Sequence, residues 1–293
     1  MKKAIKRVLA AIIYWMYQIG IFKSNIHVHS VDETLDELID SNKSLVRFGD
    51  GEILLAAGKG ITLQNSSQKL GEDLRRILSF NNDNLMVTIP EIFEGLSMYR
   101  KESRRFWKDH LMFFRKTYEK CCDSTKIYYN TSVSRFYVTY NQEYQKENCD
   151  RYAAKISQIW KNKDVVIIEG ANTQNGLTNS MLDSAGSVKR IICPPKNAYE
   201  SFDAIYSECV KQPKDVLFLV SLGATAKPLT EKLFKDGYRV IDIGNTNVEY
   251  TWYETHAADK VDIKLLTDHE DKEEDRKKYE KYISEIICRI NNK

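Results

Sequence analysis

Apolar positions follow two alternating patterns between about residue 30 and residue 243. Short apolar runs predict strands at 44–49, 85–89, 126–130, 164–169, 190–193, 216–221 and 239–243. Helical spacing separates them. Ser30-Val-Asp-Glu33 has the form of a capping box ahead of Leu35, Leu38 and Ile39. Ser66 or Ser67 is placed to cap a helix carrying Leu70, Leu74, Ile77 and Leu78, and 100–120 is a polar helix with Phe106, Trp107, Leu111 and Phe114. Further helical segments are predicted near 177–184, 198–211 and 225–236. Strands alternating with helices predict an α/β fold with a doubly wound, mostly parallel sheet and flanking helices. No Gly/Ser-rich or Pro-rich linker interrupts it, so 26–293 is expected to form one domain.

The two ends differ from this body. Lys2, Lys3, Lys6 and Arg7 precede an uncharged stretch, 8–22, that is shorter than the roughly 20 residues of a spanning helix. Ile5, Val8, Leu9, Ile12, Ile13 and Met16 share one helical face, flanked by Tyr14, Trp15 and Tyr17. Residues 1–25 therefore read either as an anchor lying on an anionic membrane surface or as an ordinary helix packed on protein. At the other end, twelve of the fourteen residues 268–281 are charged, and Tyr279, Tyr282, Ile283, Ile286, Ile287 and Ile290 have helical spacing. A docked, amphipathic terminal helix is expected there.

Composition narrows the function classes. The 293 residues carry 44 Lys and Arg against 41 Asp and Glu, a net charge of +3, which argues against a nucleic-acid binder. Six cysteines without a CxxC pair suggest reduced thiols in a cytoplasmic protein, peripheral at the inner face of the plasma membrane if the anchor reading holds, and no zinc is expected. No histidine sits in an HxxxH pair and no Ser in GxSxG, which disfavours hydrolase chemistry. His27 and His29 read as a solvated connector rather than a metal site.

Candidate chemistry gathers where strands end. Asp50-Gly-Glu52 follows a strand directly; in an extended segment its two carboxylates point the same way and suit Mg²⁺ or Mn²⁺ bridging a diphosphate, although Asp-Gly is also a common turn. Ser221-Leu-Gly-Ala-Thr-Ala-Lys-Pro228 turns from strand to helix at Gly223, with Thr225 placed as N-cap. Its free N–H groups and Lys227 would attract phosphate, the alternative being a plain βα turn. Glu169-Gly-Ala-Asn-Thr-Gln-Asn-Gly176 is a polar loop suited to a ribose, base or sugar, or simply self-capped. Asp242-Ile-Gly-Asn-Thr-Asn-Val-Glu-Tyr-Thr-Trp252 is a third loop, with Glu249 as candidate general base and Tyr250 or Trp252 as a stacking platform, core packing being the plainer role for Trp252. Arg135 lies just past another strand, either beside a phosphate or on the surface.

Arg47-Phe-Gly-Asp-Gly-Glu52 resembles the signature of the GT-D fold glycosyltransferases. The resemblance extends through Val166-Ile-Ile-Glu-Gly170, Ile191-Ile-Cys-Pro-Pro-Lys-Asn-Ala198, Ser221-Leu-Gly-Ala-Thr-Ala226, Asp242-Ile-Gly244 and Glu249-Tyr250, over about residues 30–255. It implies a Rossmann-like sheet and metal-dependent transfer of a hexose, typically glucose, from a UDP-sugar to a glycan, glycoprotein or lipid-linked acceptor in bacterial surface assembly. It implies that Asp50 and Glu52 form the DxE element at Mn²⁺ or Mg²⁺ and the donor diphosphate. Arg47, Gly49, Gly223, Thr225, Lys227, Glu169 and Arg135 are then expected at the donor. Inversion is implied too, with Glu249 and then Asp242 as the base. Gln174, Ser180 and Asn245 depart from the family pattern in loops near the sugar. Two other classes compete. A Rossmann methyltransferase would use Glu169 at a ribose but lacks GxGxG, and a silent, membrane-anchored subunit of a glycan-assembly complex would have no use for an intact DxE element.

Overall fold

The computed structural model describes residues 2–21 and 24–291; Met1, Phe22, Lys23 and the side chains of Lys2 and Lys3 lie outside the described residues. Nine strands form one sheet: β1 (His27–Val28), β2 (Ser44–Arg47), β3 (Leu85–Ile89), β4 (Ile127–Asn130), β5 (Asp164–Gly170), β6 (Ser187–Cys193), β7 (Leu217–Ser221), β8 (Arg239–Asp242) and β9 (Ile286–Arg289). Their order is β1-β4-β3-β2-β8-β7-β5-β6-β9, and every pairing is parallel. Ten helices flank them among the described residues: α1 (Lys2–Gln18), α2 (Val31–Asp40), α3 (Asp50–Ala56), α4 (Gln68–Leu78), α5 (Lys101–Cys121), α6 (Gln142–Ile159), α7 (Phe202–Cys209), α8 (Ala226–Lys235), α9 (Thr246–Glu254) and α10 (Glu273–Ser284).

Strand periodicity sorts the core onto two faces. Leu45, Val165, Ile167, Leu217, Leu219 and Ile241 point to one side, beneath α2, α6 and α9. Their neighbours Val46, Val166, Ile168, Phe218, Val220 and Val240 point to the other. There α3, α4 and α5 cover the half containing β2 and β3, and α7 and α8 cover the half containing β5 to β7. Because both faces are covered, the strands are apolar without alternation to polar residues.

The halves meet at a thin seam. Between β2 and β8 a single ladder pair is registered, Leu45 opposite Ile241. Side chains supply the rest: Ser44 Oγ accepts the Val240 N–H at 2.9 Å, and an Asp242 carboxylate oxygen accepts the Arg47 N–H at 3.2 Å.

Several expectations are corrected. Residues 177–184 form turns, because Asn179 bonds to Asn247 and Thr251 instead of propagating a helix. The C-terminal helix stops at Ser284; Ile286–Arg289 becomes edge strand β9, held by Arg190, whose guanidinium pairs with Glu285 at 2.7 Å. His27–Val28 is a strand paired with β4 rather than a connector. Helix α6 was not foreseen, although Cys149, Tyr152, Ala153, Ile156 and Ile159 form its buried stripe. Helix α1 packs on α5, with Ala10 and Tyr17 buried, and its aliphatic stripe lies outside: Ile5, Val8, Leu9 and Ile12 are all about half exposed. None of the described helices is long and apolar enough to cross a membrane.

Within α5, His110 is buried among Phe106, Trp107 and Phe114, with Nε2 3.1 Å from the Tyr118 hydroxyl. Burial pushes its imidazole down to about 4, against a smaller opposing pull from Asp50. Unfolded, the ring titrates near 6.5, so below that pH the unfolded chain takes up the proton first and stability is lost progressively until about pH 4. From pH 7 to pH 5 the wild type should lose roughly 2 kcal/mol more stability than His110→Phe in urea unfolding. Parallel pH slopes for the two proteins would refute this.

Candidate active site

A cleft of about 840 Å³ opens over the seam at the carboxyl ends of β2, β5, β6, β7 and β8. Ligands of open α/β sheets bind at this edge. One wall is the loop through Ile61 and Leu63, pinned to the Pro194–Asn197 turn by Asn65 N–H to Asn197 Oδ1 and Asn197 N–H to the Leu63 carbonyl, both 2.9 Å. The sequence carries Pro194, Pro195 and Lys196 in a recognisable block, but nothing in their residue types marked them as a wall of the cleft.

The floor is an ion network. Lys227 is buried, with Nζ 3.0 Å from Glu52, 3.1 Å from Asp242 and 3.0 Å from the Gly223 carbonyl. The other Glu52 oxygen accepts the Gly49 N–H at 2.8 Å. Burial alone would raise the Glu52 carboxyl, but Lys227 and Arg47 hold it down at about 2. At Asp242 burial prevails over the same two cations, and its carboxyl is shifted upward. Arg47 adds a second cation. Its Nε is buried without a hydrogen-bond partner, and its side chain lies so close to Gly244 that a Cβ there would stand 2.9 Å from it. Gly244 also has φ of 48°, in the left-handed region that favours glycine.

The Asp50-Gly-Glu52 expectation is corrected in its geometry. These residues are the first turn of α3, not an extended segment. Positions i and i+2 of a helix diverge by about 200°. Asp50 therefore lines the cleft, partly buried, while Glu52 turns inward to Lys227. Gly49, Gly223, Lys227, Arg47 and Arg135 line the cleft, the Lys227 ammonium being engaged with Glu52 and Asp242. Arg135 also stands 3.7 Å from Glu249.

Other candidates lie elsewhere. Glu169 is buried against Arg190 at 2.8 Å and accepts two bonds from Asn175, so it secures its own loop rather than facing the cleft. Thr225 is buried beneath the turn and makes no side-chain cap. Glu249 is fully buried; one oxygen accepts the N–H groups of Tyr137 and Val138 at 2.9 and 3.0 Å. Neither Glu249 nor Asp242 lines the cleft; Glu249 stands behind Arg135, and Asp242 lies beneath Lys227. Tyr250 and Trp252 pack in the core, bonded to the Ala153 and Val261 carbonyls, and offer no stacking surface.

The sequence model of the glycosyltransferase GT-D fold matches residues 45–271. The chain belongs to the GT-D glycosyltransferase family. It is similar to a probable glycosyl transferase Gly of Streptococcus gordonii, 36% identical over 90% of this chain and 39% of that protein. It is also similar to glycosyltransferase GlyD of Streptococcus pneumoniae serotype 4, 36% identical over 91% of this chain and 33% of that protein. The chain thus spans little more than a third of the curated relatives it matches. A solved structure of a new glycosyltransferase from Streptococcus sanguinis superimposes with a TM-score of 0.81 at 36% identity, over 91% of this chain and all of that one. Another, described as a domain of unknown function with a distinct glycosyltransferase fold, gives 0.81 at 33% identity over 99% of this chain and all of that one.

In this GT-D chain the protein itself offers an ion few ligands: among the described residues no group of three or more His, Cys, Asp and Glu side chains is arranged to hold one. Asp50 is the carboxylate open to the cleft, which fits an ion that takes its remaining ligands from a substrate. Lys227→Met would leave Glu52 and Asp242 buried without their cation. A loss of about 3–5 kcal/mol in urea unfolding at pH 7 is expected, shrinking on acidification as the orphaned carboxylates protonate. A loss below about 1 kcal/mol would contradict the network's role.

Proposed function

We propose that this chain transfers a hexose, glucose first among candidates, from a UDP-sugar to a glycan, glycoprotein or lipid-linked acceptor of bacterial surface assembly, with inversion. The observation that carries the reading is the pairing of Asp50 with Arg47 and Arg135 along one large cleft at the strand ends. Diphosphate is an anion that needs cations and a bridging metal, and this combination offers two guanidinium groups and a carboxylate to hold the metal. Asp50 would hold Mn²⁺ or Mg²⁺, with Glu52 behind it, and charge neutralisation of the leaving diphosphate is the chemistry such an ion would supply there. Arg47 and Arg135 orient the phosphate oxygens. The bond from the anomeric carbon to the diphosphate oxygen breaks and its electron pair leaves with UDP. The acceptor hydroxyl oxygen bonds to that carbon and its proton passes to water in the cleft.

Incubation of UDP-glucose with acceptor and Mn²⁺ should release UDP, and chelation should abolish the release. Asp50→Ala and Arg47→Met should each reduce the rate at least 100-fold while remaining folded, because both changes remove charge facing the transition state. An equatorial-to-axial change at the anomeric proton, as the substituent passes from axial to equatorial, would report inversion. UDP release unaffected by chelation and by Asp50→Ala would overturn the reading.

A second part of the proposal concerns a membrane surface. The outward face of α1, with Ile5, Val8, Leu9, Ile12 and Trp15 exposed, follows Lys6 and Arg7. This combination suits the inner, anionic face of a plasma membrane. Vesicles containing phosphatidylserine should float with the wild type and not with Val8→Glu/Ile12→Glu. Equal flotation of both would refute the contact.

A further inference from the structure

Beyond Asp50 the main cleft continues into a second cavity of about 360 Å³. The two share Arg47, Gly49, Asp50 and Arg135. We infer that this second cavity is the acceptor subsite and that it takes a sugar ring, laid on Phe106 beside Trp107; the inference rests on the donor reading above.

Its lining is unlike that of the main cleft. Phe106, at the start of α5, is 47% exposed although it belongs to an aromatic cluster. Its ring meets Trp107 edge-on at 5.0 Å and stacks over His110 at 6.1 Å. An aromatic side chain left facing a cavity and fixed from behind is a rigid apolar shelf. A pyranose has one C–H-rich face to lay on such a shelf and a rim of hydroxyls that need hydrogen bonds.

The polar partners for that rim are present and unused. Thr131 is 4% exposed, lines the cavity and has a buried hydroxyl with no hydrogen-bond partner. Arg100 also lines it. Its Nη2 pairs with Asp259 at 2.7 Å and its Nη1 reaches the Ala258 carbonyl at 3.4 Å, yet its buried Nε has no partner. Leaving a buried polar atom unpaired costs about 1–3 kcal/mol. Two such atoms beside an open cavity and an aromatic shelf are accounted for when a hydroxylated ligand completes them. The shared Asp50 puts that ligand beside the donor's reacting end, as a transfer requires.

The test separates the two cavities. Saturation-transfer NMR with methyl β-glucoside, methyl β-galactoside and methyl N-acetyl-β-glucosaminide is run on the full chain, and UDP binding with Mn²⁺ is measured by calorimetry. At least one glycoside should receive saturation from the wild type. Phe106→Ala and Thr131→Val should each cut it at least five-fold, with UDP affinity held within two-fold. Thr131→Val should melt no lower than wild type, because it removes an unpaired buried hydroxyl. No saturation on the wild type, or saturation unchanged in both variants, would overturn the inference. So would a loss of UDP affinity in Phe106→Ala, which would assign the shelf to the donor. Failure of the wild type to bind UDP would instead overturn the donor reading and, with it, the naming of this cavity as its acceptor side.

Discussion

One buried ammonium holds the two halves of this sheet in register. The ladder between β2 and β8 has a single registered pair, so backbone bonding alone leaves the seam weak. Lys227, carried on α8, spans it by pairing Glu52 at the head of α3 with Asp242 at the end of β8. Asp242 then adds to the ladder by accepting the Arg47 N–H across the seam at 3.2 Å, while its other oxygen accepts the N–H of its own loop's Gly244 at 3.1 Å. Each of these charges is expensive to bury alone and tolerable together, so the three fix one another's positions.

The cleft is a consequence of that arrangement. The cleft opens over the single-pair ladder between β2 and β8, and the buried triad provides a floor whose charges are already spent. The groups left over are Asp50, Arg47 and Arg135, which line the opening without belonging to the triad. A helix beginning at Asp50 makes this division. It sends one carboxylate of the Asp-Gly-Glu element to solvent and the other to the lysine.

The strands were legible because buried parallel strands are unbroken apolar runs, and the lengths of β3 and β7 differ from expectation by at most a residue. Helix α2 was legible through its capping box, which forms as expected, with Ser30 Oγ accepting the Glu33 N–H at 3.2 Å. What failed was direction rather than location. The Asp50-Gly-Glu52 element stood out, but a glycine after a strand looks like a turn, and α3 has only seven residues in which to display a helical period. Glu249 and Glu169 stood out as acids in polar loops. Neither the buried Arg190 that claims Glu169 nor the backbone N–H groups that claim Glu249 are neighbours in sequence. Partners 21 and 112 residues apart leave no local pattern. The apolar stripe of α1 was visible, but not that its other face would meet α5 and leave the stripe outside.

The account stands on the division between a structural triad and an open carboxylate. Crystals grown with UDP and Mn²⁺, with diffraction recorded at the manganese edge, test it most directly. The prediction is an anomalous peak at the Asp50 carboxylate, shared with the diphosphate above the β2–β8 seam, and Lys227 still lying between Glu52 and Asp242. An ion bound elsewhere on the chain, or UDP seated outside this cleft, would contradict it.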